Sequence, residues 1–252
     1  MNDARPTSWL QLANPAVFNR WADRLLWPLV IATLGLFAYG LYGTFFVSPA
    51  DYQQGNTVRI MYIHVPAAWL ALFVYAGMVV SALGTLVFRH PMADVAQKAA
   101  APLGAAFTLV CLITGSIWGK PTWGTWWQWD ARMTSVLVLL LVYLGIMALW
   151  RAVDDPLRAA RAVAILTLVG AVNLPIIKFS VDWWYTLHQP ASVFRLDGPT
   201  IHPSMLKPLL IMALGYLGLY LVLLLVRMKT ELTLRRIDRL QRLAAGIPGE
   251  RA

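Results

Sequence analysis

Residues 118–130, from Trp118 to Asp130, read WGKPTWGTWWQWD and hold five of the chain's 12 tryptophans. Gly119, Pro121 and Gly124 break up any regular element there. The run lies between two long apolar segments, Ala101 to Ile117 and Met133 to Trp150. A segment in that position has to emerge at or just above a membrane surface. The interfacial belt of any membrane protein accounts for scattered residues such as Trp9, Trp21, Trp27, Trp69 and Trp150. It does not account for Trp118, Trp123, Trp126, Trp127 and Trp129 together. Indoles offer large, stiff apolar area with N–H donors at the rim, so the segment reads as a platform for a flat, largely apolar ligand with anionic edges. In a helix Trp123, Trp126, Trp127 and Asp130 would share one face; in an extended chain Trp127 and Trp129 would. Both geometries stay open.

Composition points the same way. Of 252 residues, 59% are hydrophobic and 13% charged, with a mean hydropathy of +0.60, which excludes an ordinary soluble domain. The one cysteine, Cys111, lies inside an apolar run, so an intrachain disulfide, a cysteine metal site and a CxxCH attachment motif are all excluded. A cofactor has to be held noncovalently. The net charge of +9 is split among short segments between apolar runs, which is a topology signal rather than a nucleic-acid site.

About 20 apolar residues cross roughly 30 Å of hydrocarbon. Six segments qualify: Leu25 to Val47, Val65 to Phe88, Ala101 to Ile117, Met133 to Trp150, Ala162 to Phe179 and Met205 to Val226. The first is too long for a signal-peptide core, so the N-terminus is expected to be retained. Fifteen Lys and Arg residues fall on the face that holds both termini; five, namely Arg59, Lys120, Arg132, Arg195 and Lys207, fall on the other. The richer face is assigned to the cytoplasm. The expected fold is an all-α integral membrane protein: one domain of six transmembrane helices, both termini cytoplasmic, with a Trp-rich loop facing outward between helices three and four. In the basic tail, residues 227–252, Leu234, Ile237, Leu240 and Ala244 share one helical face, and Arg235, Arg239 and Arg242 lie on another. That pattern fits a helix lying on the cytoplasmic membrane surface against anionic lipid, or a solvated basic end.

Of four histidines, His64 in MYIHVPAAW, His188 in WWYTLHQP and His202 in TIHP lie on the outer side, and His90 on the inner. A histidine at a helix end is commonly just interfacial. Two imidazoles from different segments flanking an aromatic platform, however, suit the clamping of a haem iron from both faces. His202 sits among turn residues and is the weaker candidate. A porphyrin's propionates need cations, for which Arg59, Arg132 and Lys120 are available, Lys120 reading better as an interfacial anchor. Asp130 reads as an orienter of the loop, and Arg132 is equally a candidate partner for it. Asn173, Pro175 and Lys178 interrupt the fifth span. No nucleotide-binding loop, Ser-His-Asp arrangement or carboxylate pair is present, so nothing reads as an enzyme.

The segment WGKPTWGTWWQWD closely resembles the WWD signature of haem-handling membrane proteins. With MYIHVPAAW before it and WWYTLHQP after it, the whole chain resembles the CcmC, or haem exporter protein C, family of cytochrome c maturation. The CcmF-type and CcsA-type relatives that share the WWD loop are larger, with additional spans and intramembrane histidines that this sequence lacks. The resemblance implies a protein of the bacterial inner membrane that holds haem b noncovalently on the periplasmic side. In that reading His64 and His188 are the axial ligands, and Trp118, Trp123, Trp126, Trp127, Trp129 and Asp130 bear on the macrocycle. Arg59 and Arg132 meet the propionates. Haem then passes to a periplasmic chaperone of the CcmE type, within a complex of the small membrane protein CcmD and the ABC transporter subunits CcmA and CcmB. Two further readings are a transport subunit that conducts haem through its own bundle and a structural subunit whose Trp loop only docks a partner. The near absence of charge from the spans opposes conduction.

Overall fold

The computed structural model describes residues 13–245. Among the described residues there are seven α-helices and no β-strand: α1 (Pro15–Tyr42), α2 (Met61–Leu86), α3 (Ala93–Trp123), α4 (Ala131–Ala152), α5 (Pro156–Gly170), α6 (Asn173–Trp183) and α7 (Pro203–Ala244). A π-helical turn, Gly43–Val47, extends α1, and a 3-10 turn, Asn56–Ile60, leads into α2. With α5 and α6 taken as one broken span, six helical segments are long and apolar enough to cross a membrane. The odd-numbered connections gather at one end with the tryptophans, here the aromatic end. The others lie at the basic end.

The helices start where the chain supplies caps. Asn14 accepts the Ala16 N–H at 2.9 Å with Pro15 at the first helical position, and Asp155 accepts the Arg158 N–H at 2.8 Å ahead of α5. They end later than hydropathy alone indicates. α3 passes Ile117 and runs through Gly119 and Pro121 to Trp123, where Gly124, at φ 77°, takes the left-handed conformation and stops it. Gly119 is a packing residue rather than a breaker, since a Cβ there would lie 3.0 Å from the Trp123 ring. The Trp-rich stretch is therefore half helix and half loop. This corrects the expectation of a loop from residue 118, and it rules out the single helical face through Trp126, Trp127 and Asp130.

The fifth span breaks at residues 171–172. Pro175 has no N–H to return to Ala171, whose carbonyl instead accepts Leu174 N–H at 3.0 Å, and Asn173 turns inward to donate to the Ser135 carbonyl at 2.8 Å. The new helix α6 is thus pinned to α4.

Of the two readings of the basic tail, the helix lying on the membrane surface is corrected. Residues 227–244 do not turn onto a membrane surface but continue α7 as one helix of 42 residues, about 63 Å at about 1.5 Å per residue. Glu231 pairs with Lys98 at 2.9 Å, Arg235 pairs with Asp94 at 2.7 Å, and Arg227 donates to the Ala99 carbonyl at 3.0 Å, so this extension is strapped to the start of α3. The last residues of the predicted tail, 246–252, lie outside the described residues.

Mid-bundle, α2, α3, α4 and α5 enclose a core that includes Val74, Leu139, Ile146 and Val163. Tyr75 and Tyr143 meet edge to face there at 5.3 Å, and their hydroxyls donate to the carbonyls of Thr167 at 3.0 Å and Ala71 at 2.9 Å. Polar groups in hydrocarbon have to be satisfied internally, and these are. Each ring needs a facing glycine: a Cβ at Gly104 would lie 2.2 Å from the Tyr143 ring, and one at Gly170 2.2 Å from the Tyr75 hydroxyl.

Candidate functional site

The aromatic end brings three separate stretches together. His64 lies in the first turn of α2, Trp118 and Trp123 in the last two turns of α3, and His188 in the segment between α6 and α7. The two imidazoles are linked through the end of α3, where His64 packs on Trp118 and His188 on Trp123.

Each ring is held by one nitrogen. His64 Nδ1 lies 3.0 Å from the Cys111 carbonyl and 3.1 Å from Thr114 Oγ1, both on α3. A carbonyl only accepts, so in the neutral ring Nδ1 carries the proton and Nε2 the lone pair. Gly115 makes the approach possible, since a Cβ there would stand 2.9 Å from His64 Cε1. Trp118 packs edge-on against the same ring at 5.7 Å and is fixed in turn by its indole N–H, which donates to Gln54 Oε1 at 2.7 Å.

His188 repeats the arrangement with a carboxylate. Its Nδ1 lies 3.2 Å from Asp130 Oδ2, which also accepts a short hydrogen bond from Thr186 Oγ1. Asp130 Oδ1 meanwhile caps α4, accepting Met133 N–H at 2.7 Å. Trp123 stands against the His188 ring at 4.8 Å. Burial disfavours charge on His188, and the Asp130 carboxylate offsets this only in part, so the imidazole titrates below the ordinary histidine value. Asp130 titrates below the ordinary aspartate value: burial opposes its charge, but the Thr186 hydroxyl, the Met133 N–H and His188 outweigh it. At neutral pH the pair is a neutral imidazole on a carboxylate. Among the described residues Nε2 of neither His64 nor His188 takes a hydrogen bond.

After Gly124 the chain is extended. Trp127 and Trp129 pack on each other at 5.4 Å, as the extended geometry requires, with Trp126 57% and Trp129 74% exposed. Trp127 Nε1 is buried without a hydrogen-bond partner, and so is Arg59 Nε, whose guanidinium lies 5.8 Å from the centroid of the Phe45 ring. Arg132 makes no ion pair with Asp130 within 4 Å. It reaches instead to α6, donating to Ser180 Oγ at 3.0 Å and to the Ile177 carbonyl at 3.4 Å. Lys120 caps the end of α3 through the Gly124 carbonyl at 3.0 Å, and His202 caps the start of α7 through Ser204. Both have structural duties. Residues with no sequence signal complete the site, namely Gln54, Thr114, Gly115 and Thr186.

Fold and site together define a polytopic membrane protein that presents two neutral imidazoles against an indole-lined surface at one end of its bundle. The family model described as "Heme exporter protein C" matches residues 8–243. The chain belongs to this haem exporter protein C family, whose members are membrane transport components of cytochrome c biogenesis and not enzymes. It is 60% identical over 236 residues to "Heme exporter protein C" of Bradyrhizobium diazoefficiens, covering 94% of this chain and 89% of that one. It is 50% identical to the protein of the same name from Escherichia coli K12, covering 89% and 90%. A "putative cytochrome c biosynthesis ccmC-like mitochondrial protein" of Marchantia polymorpha is 44% identical, covering 85% and 92%.

Proposed function

We propose that the chain binds haem b noncovalently at the aromatic end and hands it to a carrier, with His64 and His188 as the two axial ligands. The observation that carries this reading is the shared protonation pattern. In each ring a fixed acceptor holds the Nδ1 proton, the Cys111 carbonyl in one and the Asp130 carboxylate in the other, leaving Nε2 as a lone-pair donor. Such outer hydrogen bonds orient an imidazole and raise its basicity toward a metal. Iron chemistry belongs to the haem, which is cargo; the chain supplies orientation and an apolar bed.

In this reading Trp118 and Trp123, already seated against the two histidines, form the walls, while Trp126, Trp127, Trp129 and Asp130 complete the bed. The buried, unpartnered N–H groups of Trp127 and Arg59 favour their use at a propionate, a strong acceptor for such donors. Arg132 has two donor nitrogens engaged by α6, so its part at a propionate falls to Nη1. The exposed rings of Trp126 and Trp129 offer a docking face to a CcmE-type chaperone. The excess of Lys and Arg at the basic end supports a cytoplasmic position for both termini and a periplasmic position for the site, in the inner membrane. CcmD, CcmA and CcmB are the companions this family assignment suggests.

The test is absorbance of the purified protein after His64→Ala and His188→Ala, singly and together. Haem is expected to copurify with the unaltered chain with a two-imidazole spectrum. Each single change is expected to shift that spectrum and the double change to abolish it. A double variant that keeps the full spectrum refutes the ligand assignment.

A further inference from the structure

A second site lies at the other flank of the aromatic end, between the close of α1 and the opening of α7. The two helices touch through small residues: a Cβ on Gly40 would lie 2.7 Å from Met212 Sδ, and one on Gly43 3.2 Å from the Pro208 ring. At Gly43 the α-helix gives way to the π-helical turn, a local widening that recurs at functional sites. Beside this contact a crevice of about 370 Å³ opens, lined by Tyr39, Tyr42, Val47, Lys207, Pro208 and Ile211.

Its chemistry is one-sided. The lining is apolar but for Lys207, the tyrosine hydroxyls and the first residues of α7, and it contains no carboxylate. Lys207 is exposed and has neither an ion pair nor a hydrogen bond among the described residues. Its depth is also defined. Twenty residues of unbroken α7 separate Lys207 from Arg227, the first basic residue of the opposite end. At about 1.5 Å per residue that is about 30 Å, the thickness of the hydrocarbon core. Lys207 therefore stands at headgroup level, with Ile211 and Tyr39 one turn deeper. Tyr39 and Tyr42, 64% and 56% exposed, flank the groove.

We propose that this crevice binds one anionic phospholipid of the leaflet at the aromatic end. An acyl chain lies along Tyr39, Pro208 and Ile211, and the phosphate pairs with the Lys207 ammonium. A water-soluble anion has no use for the apolar lining, and an uncharged chain has none for the lysine; a phospholipid with net negative charge uses both. The proposal is independent of haem binding.

Native mass spectrometry of the full-length protein in detergent, titrated with phosphatidylglycerol or with phosphatidylcholine of the same acyl chains, tests it. One phosphatidylglycerol is expected to bind with about fivefold preference, the weight of one basic residue at an anionic surface. Lys207→Gln is expected to remove the preference and Lys207→Arg to retain it, which separates lost charge from a damaged fold. Ile211→Trp, filling the crevice, is expected to weaken both lipids, and Lys178→Gln, an exposed lysine of α6, to change nothing. Equal binding of the two lipids by the unaltered chain, or an unchanged preference in Lys207→Gln, overturns the proposal. So does a copurified polypeptide that crosslinks at Ile211 and that added lipid does not displace.

Discussion

Asp130→Asn is the most discriminating perturbation of the histidine site, because it alters one atom and leaves the shape. Asp130 has a side chain only 4% exposed and uses its two oxygens differently: Oδ1 caps α4 through Met133, and Oδ2 accepts from Thr186 and His188. Asparagine is as good a helix cap as aspartate, so the Oδ1 duty survives. At the other position an acceptor becomes an N–H donor. His188 Nδ1, 3.2 Å away, then keeps its lone pair toward the amide and moves its proton to Nε2, the nitrogen proposed to meet iron. Loss of an outer-shell partner of this kind costs about 10–100-fold in metal affinity, which is about 1.4–2.7 kcal/mol. Thr186→Val removes one hydrogen bond to the carboxylate but leaves the carboxylate itself, so the tautomer is kept and the loss is expected to stay below about tenfold. The assay is a haem titration followed at the Soret band, with far-UV circular dichroism on the same samples. Asp130→Asn is expected to lose affinity and the two-imidazole spectrum at unchanged helix content. Wild-type affinity and spectrum in Asp130→Asn refute the tautomer argument, and a parallel loss of helix content assigns Asp130 to the fold alone.

Two more predictions follow from the same geometry. Gly115→Ala puts a methyl 2.9 Å from His64 Cε1, so the ring has to swing off the Cys111 carbonyl; haem affinity is expected to fall about tenfold with helix content retained, as the same titration and circular dichroism read. Lowering pH is expected to release haem, because protonation of His188 competes with iron at Nε2. The folded imidazole titrates below its ordinary value of about 6.5, so affinity is expected to be flat above that pH and to fall through the lowered value. The same shift makes His188 contribute stability that is full above the unfolded value and lost as pH falls toward the folded one. Soret absorbance from pH 8 down to pH 4 checks this, and a loss of haem on raising pH contradicts it.

The membrane-spanning pattern was legible in the sequence because hydrocarbon thickness imposes it directly: a run such as Met133 to Trp150 has few other uses. Helix ends were not, since α3 and α7 both outrun their apolar stretches. Nothing in the composition of residues 118–123 shows that Gly119 is small to admit the Trp123 ring rather than to break a helix. Nor does the amphipathic spacing of Leu234 and Ile237 disclose that ion pairs to Lys98 and Asp94 tie the extension of α7 to the start of α3. Those contacts join residues more than 130 positions apart, and local pattern carries no information about them.

The site divides in the same way. Histidine and tryptophan announce themselves by type, so His64, His188 and the indoles stand out in a sequence. Asp130, which holds the His188 proton, stands out by type as well; the other groups that shape the site are a carbonyl, a threonine and a glycine: Cys111 through its backbone, Thr186 and Gly115. None of these three has a chemistry that singles it out. Arg132 is the converse, a cation whose type suggested a propionate or Asp130 and whose Nε and Nη2 turn to Ser180 and Ile177 on α6 rather than to Asp130. That link has a consequence for the site. Asn173 ties the start of α6 to the Ser135 carbonyl of α4, and Arg132 ties its end. The short helix therefore sets where the next segment departs, and with it where His188 meets Asp130 at the cap of α4. The break in the fifth span is then part of the site, because an unbroken helix would have no reason to end beside that cap.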